Sequence, residues 1–178
     1  MKKTAVLMYP SFSEYEISVA LSVLGQAGKE VVTVSDTDDP VVGEACFACL
    51  PDATYDEINP DDFDSVLLPG MMQLLPEETE AKCVAFLRAM GERENLIGAV
   101  SLSPYLLAKA GLLEGRLYTV GMYEEDMDEM GVFDKANLVK EPVVEDGLLI
   151  TAVGSGFVGF GLAFGRALGL SFDGTWYE

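Results

Sequence analysis

Few residue types in this chain could do covalent or acid–base chemistry. Histidine is absent, and the cysteines are Cys46 and Cys49, in CFAC, and Cys83. Ser101 lies in LIGAVSLSPYLLAKAG, residues 96–111, where an apolar strand reads directly into a helix. A side chain on so sharp a turn is pushed out at the carboxyl end of a sheet, facing free backbone N–H groups and the positive end of a helix. This is the geometry of a nucleophile elbow. Serine there needs a base to take its proton, and with no imidazole only carboxylates remain. The C-x-x-C pair falls in an extended apolar stretch, with no histidine and no second pair. Plain burial therefore outweighs a redox or zinc role, and no cofactor or metal is expected. Cys83 shares a helical face with Phe86, Leu87 and Met90 and reads as core.

The elements that must position Ser101 follow from hydrophobic patterning. Short apolar runs alternate with helical patterns: TAVLMY, SEYEISVALSVLGQAG, EVVTVS, DSVLLPG, EETEAKCVAFLRAMGER and NLIGAVS. Strands apolar at nearly every position must be covered on both faces, which predicts an α/β fold, a mostly parallel sheet between layers of helices. Ligands of such sheets bind beyond the carboxyl ends of the strands, where Glu14, Glu16, Gly70, Met71 and Ser101 are predicted to gather.

Composition bounds the rest. A chain of 178 residues, 49% of them apolar, with no evident linker, reads as one globular domain spanning residues 1–178. A formal net charge of −19 repels phosphate, so nucleic acid and anionic membrane surfaces are not expected partners. The start, MKKTAVLMYPSF, has a short apolar run of strand length and no small-residue cleavage site, which points to a cytoplasmic protein. Residues 147–165, GLLITAVGSGFVGFGLAFG, carry no charge over 19 positions, long enough for a membrane span. The β-rich LLITAV and the break at Gly154 and Gly156 instead predict a strand, a tight turn and a buried helix. Gly154, Gly156 and Gly159 match G-x-G-x-x-G, but only 19 residues follow Gly159 and no further strand–helix unit is evident. These glycines read as close helix packing rather than a dinucleotide fingerprint.

Five pieces in order, VLMYPSFSEYE, LPDAT, DSVLLPG, LIGAVSLSPYLLAKAGLLEGR and VVEDGLLITAVGSG, span nearly the whole chain. Together they resemble the ThiJ/PfpI family, which includes the parkinsonism-associated deglycase, intracellular proteases and proteins labelled as thiazole monophosphate biosynthesis enzymes. The resemblance implies a flavodoxin-like, class I glutamine-amidotransferase-like fold and a homodimer. It makes Glu16 the acid that hydrogen-bonds the nucleophile and Ser101 the position of the nucleophilic cysteine. Gly70 and Met71 fall at the paired-glycine loop whose N–H groups, with that of Leu102, line the oxyanion pocket.

Three features depart from the family pattern. Serine replaces cysteine, the family's histidine falls near Val120, after a strand in LYTVGM, and Ser103 matches a small glycine. A thiol becomes a thiolate at an elbow without a base, whereas a hydroxyl needs one. The reading that follows is a catalytically degenerate relative whose elbow binds a small molecule or does structural work. The alternative is a hydrolase or deglycase using Ser101 with Glu16, supported by Glu14 as a second acid. Glu16 also falls early in an amphipathic helix, where an acid suits the dipole whatever its chemistry. Met71, Met72 and Tyr105 either narrow the pocket or fill it. Phe172, Trp176 and Tyr177 offer apolar surface that a second copy would cover.

Overall fold

The computed structural model describes residues 2–177. Its strands are β1 (Lys3–Leu7), β2 (Val31–Ser35), β3 (Val41–Val42), β4 (Ala48–Cys49), β5 (Ala53–Thr54), β6 (Phe63–Leu68), β7 (Leu96–Val100), β8 (Val143–Asp146) and β9 (Leu149–Ala152). Its helices are α1 (Ser18–Gln26), α2 (Glu77–Gly91), α3 (Pro104–Lys109), α4 (Glu124–Met130) and α5 (Phe157–Ala167). Seven strands form one sheet in the order β5-β2-β1-β6-β7-β9-β8, parallel except where β8 runs antiparallel to β9. Strands β3 and β4 make a separate antiparallel hairpin. Helices on the faces complete the α/β arrangement predicted from the alternating runs, in the flavodoxin-like form that the resemblance implied.

The central strands show why the pattern had to fold this way. Ala5, Leu7, Val66, Leu67, Leu68, Ala99, Val100 and Ala152 are all under 2% exposed, so both faces of the sheet are covered. Each fully buried Val or Leu contributes about 1.5–3 kcal/mol relative to exposure. The charge-free stretch is indeed β9, a 3-10 turn at Gly154–Gly156 and the buried helix α5. Among the described residues no helix is long and apolar enough to cross a membrane. A Cβ at Gly161 would lie 2.6 Å from the Ala20 backbone nitrogen, so that glycine lets α5 lie directly on α1.

Register brings four strand ends together. Leu68 pairs with Ala99 and Val100 with Ala152, while Val6 pairs with Leu67. The segments leaving β1, β6, β7 and β9 therefore emerge side by side at one sheet edge.

Several expectations need correction. Glu16 lies not in the first amphipathic helix but in a separate 3-10 turn, Tyr15–Ile17, before α1 starts. The elbow helix does not start at once: Ser101–Ser103 form a turn, and α3 is a six-residue helix beginning at Pro104, where proline's fixed φ suits a first turn. No strand follows LLEGR, and that segment makes only an isolated bridge between Tyr118 and Leu138. The CFAC cysteines are not buried: Cys46 is exposed in the hairpin turn and Cys49 is half-buried on β4, because this hairpin pairs only with itself. Cys83 is buried as expected, and burial pushes its thiol up to about 12.

Candidate functional site

The site is built where the four strand ends meet. Ser101 follows β7 with φ +62°, a left-handed conformation unusual for a residue with a side chain. Surrounding bonds hold it there. Its N–H donates to the Ala152 carbonyl at 2.8 Å and its own carbonyl accepts from the Gly121 N–H at 2.7 Å. Ser103, fully buried, locks the turn: its hydroxyl accepts from the Val100 N–H at 3.0 Å and stands 2.8 Å from the Val100 carbonyl, to which it can donate. A glycine at 103 would leave the turn without this tie.

Glycines make room for the acid. A Cβ at Gly70 would run into Glu16 Oε2 and lie 2.8 Å from Ser101 Cβ. A Cβ at Gly154 would collide with Glu16 Oε1 and stand 3.4 Å from Ser101 Oγ. A Cβ at Gly121 would come within 3.2 Å of Ser101 Cα. The Glu16 carboxyl is thus wedged between the segments leaving β6 and β9, beside Ser101, as the site reading expects.

Its electrostatics are those of a buried acid. Glu16 is 4% exposed; Oε1 accepts from the Tyr15 hydroxyl at 3.1 Å, and Oε2 is buried without a hydrogen-bond partner. Burial raises the Glu16 pKa from its ordinary value, and the neighbouring hydroxyls of Ser101, Tyr15 and Ser13 draw it partly back. The Met71 N–H follows Gly70, and the Leu102 N–H follows Ser101. Neither donates to another backbone group among the described residues. Met71 bridges Phe12, yet that bridge uses the Ser13 and Met72 N–H groups.

An open hollow of about 880 Å³ adjoins the elbow through Leu102 and Gly121; its lining includes apolar side chains such as Leu74, Val120 and Met122 and the two carboxylates Asp126 and Glu129. Val120 is buried and apolar and supplies no base.

Glu14 is not the supporting acid. Its carboxylate accepts from the Ala45 N–H at 3.1 Å and holds the hairpin turn. Met71 is buried, Met72 is 68% exposed, and Tyr105 packs against Phe133, so none of the three narrows the site as a group. Tyr15, Gly121 and Gly154 were not read as site residues. Only the glycine–serine–glycine run directly after a strand signalled one of them.

The sequence model of the DJ-1/PfpI family matches residues 2–166. Deglycase PfpI of Pyrococcus furiosus is 29% identical over 147 residues, 82% of this chain and 86% of that protein. Protein dj-1beta of Drosophila melanogaster is 30% identical over 157 residues, 87% of this chain and 82% of that protein. Among solved structures, a thiJ/pfpI family protein from Bacillus anthracis superposes with a TM-score of 0.88 at 20% identity, covering 99% of this chain and 88% of that one. A two-domain protein from Anabaena variabilis, with DJ-1/ThiJ/PfpI-like and ferritin-like domains, gives a TM-score of 0.84 at 27% identity. That match takes in 98% of this chain but only 51% of the longer one, about half its length. On this match across nearly the whole sequence, the chain belongs to the DJ-1/PfpI family.

Proposed function

We propose that this protein is a catalytically degenerate DJ-1/PfpI relative whose elbow binds a small molecule instead of attacking it. The observation that carries this reading is that Ser101 occupies a left-handed elbow with no histidine anywhere in the chain and a single buried carboxyl as its neighbour. A serine hydroxyl so placed has no imidazole to take its proton. The free Met71 and Leu102 N–H groups, with a protonated Glu16, suit a ligand bearing an acceptor oxygen. The net charge of −19 favours a neutral carbonyl over an anion.

The test compares consumption of glyoxal and of glycated amine by the native chain with Ser101→Ala. Equal, background rates are expected. A second reading is favoured by the raised pKa of Glu16, which makes its ionised form a stronger base than an ordinary carboxylate. Turnover abolished by Ser101→Ala and by Glu16→Gln alike would establish that serine enzyme, a hydrolase or deglycase, in place of the degenerate one.

The same reading includes a homodimer in the cytoplasm. Trp176 is 69% exposed, while Tyr177 donates to Ser22 at 2.6 Å and so pins the tail along α1. Sedimentation at micromolar concentration is expected to give twice the mass of one chain; the mass of a single chain would end the dimer proposal.

A further inference from the structure

Glu16 has two oxygens in different surroundings. Oε1 receives the Tyr15 hydroxyl and lies on the Gly154 side with the Ser101 Oγ, whereas Oε2 is buried, unpartnered and directed to the space above Gly70, beside the Ser101 Cβ. In a protonated carboxyl the carbonyl oxygen is the better acceptor and the hydroxyl oxygen the donor. A donor fixed on one oxygen therefore assigns the proton to the other. Tyr15 is itself held: its ring meets Phe157 edge-on, with centroids 5.5 Å apart, at the start of α5.

We propose that Tyr15 is a positioning residue of the elbow, which by donating to Oε1 places the Glu16 proton on Oε2, the oxygen over Gly70 and beside the Ser101 Cβ. This deepens the binding reading above and rests on the elbow being the ligand site. It gives that site a fixed donor over Gly70, the residue before Met71. A ligand carbonyl oxygen then meets donors alone, and a cation or a donor group meets no acceptor on Oε2. Without the tyrosine hydroxyl the proton distributes over both oxygens. The other groups facing the carboxyl are few. Glu44, on the hairpin side, is the charged neighbour; Ser13 accompanies it, and Gly70, Ser101 and Gly154 close the remaining sides.

The test reads Glu16 directly by infrared difference spectroscopy of the native chain minus Glu16→Gln, repeated in Tyr15→Phe, which retains the ring on Phe157. Between about pH 4 and 8 the native chain is expected to show a protonated-carboxyl C=O band persisting above the ordinary carboxylate range. Tyr15→Phe is expected to move that band to higher frequency, because the carbonyl oxygen loses its donor. An unmoved band, or no protonated band attributable to Glu16 above that range, overturns the proposal. A purely structural role for Tyr15 would alter unfolding without shifting the band. Should Tyr15→Phe fold poorly, the ring-bearing variant Tyr15→Trp, which also lacks the hydroxyl, gives the same reading. These spectra are taken without ligand, so failure of Tyr15 to shift the band and failure of the elbow to bind are separate results.

Discussion

The elbow and the β3–β4 hairpin invert what residue type alone suggests. The hairpin holds Cys46 and Cys49 at redox-like spacing, yet Cys46 stands exposed, and the nearby Glu14 only ties the turn together. The elbow holds a serine, a poor nucleophile by itself, yet four strand ends, three glycines and a buried acid with one unpartnered oxygen converge on it. What marks a site is convergence of backbone and buried polarity, more than the reactivity of a side chain in isolation.

The sharpest way to break this comparison is to fill the two regions. Gly70→Ala forces a methyl into the Glu16 carboxyl and against Ser101, so a loss of about 2–3 kcal/mol is expected from overpacking at a site that cannot expand. Cys46→Ser in the hairpin should stay within about 0.5 kcal/mol. Urea denaturation of both decides it; similar, small changes would mean that the elbow is no tighter than the hairpin.

A smaller effect sharpens the electrostatic side. The folded pKa of Glu16 is raised, so its stabilising balance is complete below the ordinary carboxylate pKa and is lost as pH rises through the folded value. Glu16→Gln mimics the protonated acid. Native chain and variant should therefore differ least near pH 4, with the native chain losing ground steadily as pH rises toward neutrality. Thermal melts across that range test the sign, and a native chain gaining on Glu16→Gln with rising pH would show an acid stabilised in its charged form.

The parallel core was legible because strands covered on both faces must be apolar throughout, as TAVLMY and DSVLLPG are. Glu16, Gly70 and Ser101 were legible too, since topology sends the ends of β1, β6 and β7 to one edge. Glu14 was misread because adjacency in sequence says nothing about which way a side chain turns when a hairpin offers it free N–H groups. Tyr15 was missed for the same reason: its role depends on one hydroxyl meeting one oxygen. The hairpin cysteines were misread because an apolar run of two-residue strands cannot be told from a buried one by composition.

In the proposed reading the elbow is preorganised for an oxygen bearing partial or full negative charge, with a serine at position 101. Its six-residue helix is short, so in that reading the Met71 and Leu102 N–H groups and a protonated Glu16 carry that character. The most direct measurement is the pH dependence of iodoacetamide alkylation at position 101 in Ser101→Cys, read by mass spectrometry of the peptide that contains it. Cys83, pushed up to about 12 by burial, supplies an internal contrast in the same molecule. The account predicts a midpoint at 101 below the ~8.5 of a free thiol; a midpoint at or above that value would contradict it.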